Sequence, residues 1–186
     1  MTTRDPLKTL EDKVQYLLDR TEILDCIARH ARGHDRHDME MLSDAYHAEG
    51  IDEHGFAINE GANYAKWANA VHAAGSLLHT HNITTHTCEI DGDVAHCESY
   101  VLVCLLNNDG KTARIISGRY IDKLEKRNGS WRIALRRSTV DVLLSGDASI
   151  LQAPVFREQG YIKGVRDKSD VSYQRPLELD GAAVRW

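Results

Sequence analysis

The sequence predicts an α+β fold in which helices precede a β-sheet along the chain. Apolar residues recur at helical spacing up to Gly75, whereas β-like runs separated by turn signals follow from His81 to Val142. The prolines lie towards the two ends, so residues 7–153 contain none. Helices followed by a meander of strands indicate one α+β domain, with the helices on one face of a curved sheet.

The composition is that of a single globular domain. The chain has 186 residues, of which 42% are hydrophobic and 27% charged. Its net charge of -5 and its scattered Lys and Arg residues argue against nucleic acid or a membrane surface as partner. No apolar run approaches the ~20 residues of a membrane span, and the N-terminus lacks a signal-peptide pattern, so we expect a cytoplasmic protein. We expect the domain over residues 1–145 and a polar tail over residues 146–186 that packs on the same or a neighbouring subunit.

The first half of the chain predicts four helices and one short strand. Asp5-Pro6 is typical of a helix start, because an N-cap acceptor precedes a residue with fixed φ. The pair Asp19 and Glu22 resembles a capping box and predicts a second helix that ends near Gly33. The remaining elements are a helix from Asp38 to about His47, a short strand over residues 51–58 and a helix over residues 61–74.

Asp35 is the first candidate functional residue. Leu24, Ala28 and Ala31 predict a helical stripe whose next position is Asp35. A carboxylate that faces the interior costs several kcal/mol unless it is paired, so we expect a partner for it. The alternative is that an aspartate after a helix end serves only in a turn or a cap.

Four β-like runs form the second half of the domain. Turn signals at residues 91–93, 107–110 and 128–129 separate them, and such short turns predict an antiparallel meander. The runs are Thr80 to Ile90, Val94 to Leu106, Thr112 to Lys126, and Trp131 to Val142.

The first of these runs carries several histidines. Strict alternation in a strand places His81, Ile83 and Thr85 on one face and His86 and Cys88 on the other. A histidine alone on a strand is usually exposed or hydrogen-bonded. An imidazole that points between helix and sheet would instead provide the partner that Asp35 requires.

The last run carries two arginines whose orientation the pattern leaves open. Arg132 and Arg136 alternate with the apolar Trp131, Ile133 and Leu135, so both arginines can lie on an exposed face. If Arg136 points into the concave side instead, it supplies a fixed cation for developing negative charge.

Several motifs are absent, and metal signals are weak. The sequence contains no dinucleotide-binding, P-loop, nucleophile-elbow or zincin motif. The cysteines, Cys26, Cys88, Cys97 and Cys104, show no zinc spacing, and we interpret them as buried thiols. We expect no metal, although a metalloenzyme built on His79, His81 and His86 is an alternative.

The order of these features resembles the SnoaL-like branch of the NTF2-like superfamily, the group of scytalone dehydratase and ketosteroid isomerase. The resemblance covers about residues 10–145 and depends on several spaced motifs. They are residues 18–38 (LDRTEILDCIARHARGHDRHD), Tyr46-His47, His81, residues 90–95 (IDGDVA), residues 118–122 (GRYID) and residues 128–133 (NGSWRI).

The resemblance implies a cone-shaped fold and a catalytic dyad. In the lyases of this family a helix-end Asp and a strand His act together, and these match Asp35 and His81. Arg136 matches an Arg of some members, and His30 lies where relatives place a pocket-lining Tyr or Lys, so its role as proton donor stays open. The side chains that we expect around the substrate are His30, Tyr46, Trp67, Glu98, Tyr100 and Tyr120.

The resemblance also implies a function. We expect a lyase, without metal or organic cofactor, that eliminates water or formaldehyde from a hydroxylated, largely apolar aromatic or polycyclic small molecule, with His81 as general base. We expect a homotrimer with a role in the catabolism of aromatic compounds. The alternatives are an isomerase or cyclase with the same dyad, and a protein that only binds a hydrophobic ligand.

Overall fold

The computed structural model describes residues 9–179 and 183–186. Three helices and six strands form the main body, followed by a tail of short helical turns. The helices are α1 (Leu10–Asp35), α2 (Met39–Asp44) and α3 (Gly61–Gly75), and the strands are β1 (Tyr46–His54), β2 (Ala57–Glu60), β3 (Leu78–Asp91), β4 (Val94–Leu106), β5 (Thr112–Arg127) and β6 (Ser130–Asp147). The tail contains α4 (Pro154–Arg157) and two 3-10 turns, Ser149–Gln152 and Val171–Tyr173. In the described part of the chain, no helix has the length and hydropathy of a membrane span.

The six strands form one curved, unclosed sheet in the order β2-β1-β6-β5-β4-β3. Strands β3 to β6 make the expected antiparallel meander. Strand β1 pairs with β6 in parallel, so the sheet is mixed and not wholly antiparallel. The α+β class with helices over one face, in the NTF2-like arrangement, is confirmed.

Helix α1 is one continuous helix, and the prediction of a second start at Asp19 is wrong. Thr9 caps α1 through a capping box with Asp12, while the Asp5-Pro6 start falls outside the described residues. The Asp19 carboxylate instead accepts hydrogen bonds from Lys126 Nζ (2.7 Å) and Trp131 Nε1 (2.8 Å). It therefore attaches the helix to the sheet.

The buried face of α1 differs from the predicted stripe. Leu10, Leu17 and Leu24 are more than 40% exposed. The face that contacts the sheet carries Ile23, Cys26, Ile27, His30 and His34, all at most 2% exposed. Histidines thus occupy positions of the core face that a pattern of apolar residues does not reveal.

After α1 the chain contains a shorter helix and more β-strand than predicted. Asp38 caps α2 as expected, through its side chain and Met41 N, but the helix ends at Asp44 and not near His47. The short strand expected over residues 51–58 is a hairpin of β1 and β2 that turns at Gly55, where φ is 62°.

The core lies between α1, α3 and the concave face of the sheet. Its members include Ile23, Leu42, Tyr64, Leu124 and Trp131, each completely buried. A second, smaller apolar cluster of Val101, Val103, Leu105 and Tyr120 lies further along the sheet.

The tail returns to the same chain at the C-terminal ends of α1 and α3. Arg36 Nη1 donates to Val165 O (2.9 Å), and Tyr173 Oη donates to Asp38 Oδ2 (2.8 Å). Arg166 Nη1 donates to His72 O (3.2 Å). The tail therefore borders the region in which the candidate site lies.

Candidate active site

Asp35 and His81 form a carboxylate–imidazole pair at the end of α1. His81 Nδ1 lies 2.8 Å from Asp35 Oδ1, and the backbone N–H of His81 donates to both carboxylate oxygens at 2.9 and 3.0 Å. The side chains are 13% and 5% exposed, respectively. Because a carboxylate only accepts hydrogen bonds, Nδ1 is the donor in this contact, and the neutral form of the ring therefore has its lone pair on Nε2.

Local structure explains this contact. Asp35 is the last residue of α1, and His37 follows with a positive φ of 46°, which turns the chain towards α2. The helix end lies over the beginning of β3, where Asp35 meets the backbone and side chain of His81 together. One carboxylate thereby satisfies a backbone donor and fixes the orientation of an imidazole ring.

Three further histidines surround His81. Its ring centroid lies 4.7 Å from that of His34, 5.3 Å from that of His72 and 5.4 Å from that of His79. Burial lowers the pKa of His34 well below its ordinary value, and burial with the neighbouring histidines lowers the pKa of His72 to about 2 and that of His79 to about 3. These three rings are therefore neutral at pH 7.

A second carboxylate–imidazole pair, Asp52 and His54, was missed in the sequence. His54 Nδ1 lies 2.5 Å from Asp52 Oδ1, and Tyr46 Oη donates to Asp52 Oδ2 at 2.6 Å. Asp52 is completely buried, whereas the His54 side chain is 31% exposed and faces Trp67 at 5.9 Å. Two polar residues at i and i+2 share one face of a strand, and this signal was available in the sequence.

Arg136 points into the concave side. Lys123 pairs with Leu135 and Leu124 with Ile133, so Ala134 is an extra residue in β6. This bulge turns Arg136 to the same side as Ile133. It leaves Arg132 outside, half exposed, beside Asp44.

The Arg136 guanidinium is completely enclosed by protein. Nε and Nη2 donate to the two Asp122 carboxylate oxygens at 2.7 and 2.6 Å, and Nη1 lies 2.8 Å from His30 Nδ1. The Tyr120 ring lies 3.9 Å from its central carbon. Arg136 was expected to contact the substrate directly. The structure does not agree with this expectation, because no part of the guanidinium is exposed.

His30, Tyr46 and Tyr120 form a buried layer beneath the site. His30 is completely buried, and Tyr46 Oη lies 3.2 Å from its Nε2. Burial and the adjacent Arg136 lower the pKa of His30, while burial raises the pKa of both tyrosines. These three side chains support the exposed part of the site. Trp67, in contrast, is only partly buried.

Two of the expected substrate contacts lie on the wrong side of the sheet. Strand β4 alternates without a bulge, and its inward residues include Cys97, Ser99 and Val101. Glu98 and Tyr100 therefore face outward, where Glu98 pairs with Arg119 at 3.1 Å. The resemblance identified the correct strand but not which of its residues face the concave side.

A bulge in β3 changes the predicted faces there as well. Two residues separate Ile83 from His86, whereas only one separates their partners on β4, Val101 and Ser99. His86 and Cys88 therefore face the same side as His81, contrary to strict alternation. The proposed metal trio is not assembled: His79, His81 and Asp35 can share an ion, whereas His86 groups with Cys88 and Cys97.

Comparison with known proteins identifies the family. Residues 15–137 match the SnoaL-like domain family. The Mycobacterium tuberculosis protein Rv3472, of unknown function, is 28% identical, with a TM-score of 0.61 over 67% of this chain and 77% of that one. None of the curated proteins compared with this chain is significantly similar to it in sequence.

Two further solved structures share the fold. A hexachlorocyclohexane dehydrochlorinase, LinA type 3, from Novosphingobium barchaimii is 16% identical, with a TM-score of 0.65 over 72% of this chain and 94% of that one. A candidate scytalone dehydratase from Novosphingobium aromaticivorans is 15% identical, with a TM-score of 0.65 over 71% and 90%. From the match over residues 15–137 and the common fold, the chain belongs to the SnoaL-like domain family of the NTF2-like superfamily.

Proposed function

We propose that this protein is a lyase that eliminates a small group, water or formaldehyde, from a hydroxylated, largely apolar aromatic or polycyclic compound. The observation that carries the proposal is the contact between Asp35 and His81. An oriented, mostly buried imidazole with one free nitrogen is the arrangement that general-base catalysis requires.

His81 takes the proton in this mechanism. Its Nε2 removes a proton from a carbon of the substrate, and the Asp35 carboxylate stabilises the imidazolium that forms. Because the neighbouring His34, His72 and His79 are neutral, no positive charge from them opposes this step.

His54 is the group that completes the elimination. His54 Nε2 lies 3.2 Å from Ser138 Oγ. When the ring is protonated, the Nε2–H donates to the leaving oxygen in place of that hydroxyl as the carbon–oxygen bond breaks and the double bond forms. The products are the unsaturated compound, water, a protonated His81 and a neutral His54. Proton exchange with solvent restores both rings. In the loss of formaldehyde, His81 takes the proton of a CH2–OH group and the carbon–carbon bond to that group breaks. The electron pair of this bond forms the new double bond while the neighbouring oxygen, protonated by His54, leaves as water.

Arg136 acts as a positioning residue in this proposal. Its guanidinium orients His30 and, through His30, the hydroxyl of Tyr46, which donates to Asp52. The chain of contacts therefore ends at the Asp52–His54 pair. Trp67 and Ile83 are partly buried apolar side chains that can contact an apolar ring.

The comparisons support elimination as the reaction class. One structure of the same fold bears the name of a dehydrochlorinase and another that of a scytalone dehydratase. An isomerase or cyclase would use the same His81, with proton return to the substrate instead of departure of a group. A ligand-binding protein would leave the compound chemically unchanged.

The test combines a compound panel with two variants. We expect the protein to release water or formaldehyde from at least one hydroxylated steroid, polyketide or lignin-derived aromatic compound, as detected by mass spectrometry. His81→Ala and Asp35→Asn should each lower turnover by about 10²- to 10⁴-fold while ligand affinity and folding are retained. His54→Gln should lower turnover most for poor leaving groups.

His96→Ala is the matched control, because His96 is exposed on the outer face of β4. Its turnover should equal that of the unmodified protein. Near-normal turnover in either dyad variant would refute the mechanism. A product of unchanged mass but altered structure would indicate an isomerase, and recovery of every compound unaltered would indicate a binding protein.

A further inference from the structure

A second cluster of donor atoms lies further along β3, away from the dyad. Cys88 and Cys97 are directly opposite each other in the β3–β4 pair, and each is 4% exposed. His86 lies two residues before Cys88 on the same face. One nitrogen of His86 and the two sulfur atoms all lie within 4.8 Å of one another.

The His86 ring has one nitrogen held and one nitrogen without a partner. Nδ1 lies 2.9 Å from Ser99 Oγ. Nε2 is buried and makes no hydrogen bond to any described residue. An unpaired buried polar atom is unfavourable, and an imidazole fixed through one nitrogen with the other one free is the usual form of a metal ligand.

We propose that His86, Cys88 and Cys97 bind a zinc ion. Two thiolates and one imidazole are ligands that Zn²⁺ prefers, and three protein ligands leave the fourth tetrahedral position for water. Tetrahedral bonds of about 2.3 Å place two sulfur ligands ~3.8 Å apart. A sulfur and a nitrogen ligand on the same ion lie ~3.5 Å apart. The three donor atoms, now within 4.8 Å of one another, therefore need to approach by no more than about 1–1.3 Å.

The location separates this site from the dyad. Cys88 and Cys97 belong to the apolar core cluster and join adjacent strands. The β4 partners of His81 and His86, Val103 and Ser99, are four residues apart, roughly 13 Å in an extended strand. The zinc site is thus separate from the proposed base, and it stands whether or not the elimination is correct. Because only the folded chain holds the three ligands together, the ion should bind it more tightly than the unfolded chain and raise the unfolding temperature.

The test is metal titration of the reduced protein after treatment with a chelator. We expect one Zn²⁺ or Co²⁺ per chain, with a thiolate-to-cobalt charge-transfer band for Co²⁺ and a higher unfolding temperature with Zn²⁺. Cys88→Ser and Cys97→Ser should each remove the band, and His86→Ala should weaken binding at least tenfold. Cys104→Ser is the matched control, because Cys104 lies on β4 outside the cluster, and it should bind as the unmodified chain does.

X-ray absorption of the zinc-loaded unmodified protein keeps the proposal testable if a variant fails to fold. We expect two sulfur ligands at about 2.3 Å and one imidazole nitrogen at about 2.0 Å. A ligand shell of nitrogen and oxygen alone would overturn the site. So would a cobalt band that persists in Cys88→Ser, or fully reduced protein that takes up no metal.

Discussion

Arg136 and Asp122 are an ion pair that is completely enclosed by the protein. Neither side chain has any exposed surface, and two hydrogen bonds of 2.6 and 2.7 Å join them. Burial on its own would lower the pKa of Arg136, and the charge of Asp122 reverses this and raises it. The negative charge of Asp122 therefore keeps Arg136 protonated although it is buried.

Asp122→Asn is the prediction that follows at the residue scale. The amide keeps the shape of the carboxylate but leaves Arg136 buried without a counter-charge, so the free energy of unfolding should fall by about 3–5 kcal/mol. Urea denaturation followed by circular dichroism measures this loss. Asp44→Asn, whose partner Arg132 is half exposed, should cost no more than about 1 kcal/mol. Equal losses in the two variants would contradict the argument.

A residue of the site could be predicted from the sequence where its burial required a charged or hydrogen-bonding partner. Asp35 needed a partner, and His81 was available on the first long strand. The reason given for Asp35 was partly wrong, since Leu24, on the stripe used to place it, is 42% exposed. The pair Asp52 and His54 was missed although both residues lie in the strand expected over residues 51–58, because its weak pattern does not indicate which face is buried.

At the scale of elements, two bulges decide which side chains reach the site. The bulge near Thr84 in β3 brings His86 and Cys88 inward, and the one at Ala134 in β6 brings Arg136 inward. Strands β3 to β6 and the turns between them were predictable from apolar runs and Gly or Asn signals, whereas β1 and β2 were predicted as one strand over residues 51–58. A single inserted residue inverts every later side chain of a strand, and no local pattern in one sequence announces it.

The end of α1 is fixed by a close approach to α2. A methyl group at Gly33 would lie 2.8 Å from Leu42 N and 2.9 Å from Leu42 Cα, both backbone atoms. In an exposed helix Gly→Ala stabilises by about 0.5–1 kcal/mol. Here the two helices must separate, so Gly33→Ala should destabilise by about 1–3 kcal/mol.

Thermal unfolding of Gly33→Ala beside Gly75→Ala tests this effect. Gly75 ends α3, and a methyl group there would have only Arg114 Nη2 at 3.7 Å, an ordinary contact. Gly75→Ala should be neutral or slightly stabilising. A rise in the unfolding temperature of Gly33→Ala would show that α1 and α2 do not approach so closely.

At the scale of the whole molecule, the outer face of the sheet carries partly exposed apolar side chains in the described part of the chain, among them Leu102, Ile115, Ile121 and Leu135. These side chains can contact a second copy of the chain, and we expect the homotrimer that the family resemblance implies. Ile121→Glu should shift sedimentation equilibrium towards the monomer, whereas Lys66→Glu on exposed α3 should leave it unchanged. A monomeric unmodified protein would refute this expectation.

The burial of four histidines makes the whole molecule sensitive to acid. Burial lowers the pKa of His30, His34, His72 and His79 in the folded protein, to about 2 for His72 and about 3 for His79. In the unfolded chain these groups titrate near 6.5. Below that pH the unfolded state binds protons that the folded state does not, so stability is complete above pH 6.5 and falls as the pH decreases.

This effect is large enough that we expect the protein to unfold in acid at a pH well above the pKa values of the carboxylates. Each such histidine contributes about 1.4 kcal/mol per pH unit once its unfolded form is protonated, and the four together contribute up to about 5 kcal/mol per pH unit. A domain with a typical stability of about 5–15 kcal/mol would therefore lose much of it by about pH 5.

Urea denaturation at pH 7.5, 6 and 5 measures how steeply the free energy of unfolding falls with pH. His79→Asn should reduce that slope by about one proton, while His96→Gln, at an exposed position, should not change it. Constant stability from pH 7.5 to 5 would mean that these rings accept protons without leaving the folded state, and that the neutral environment inferred for His81 is wrong.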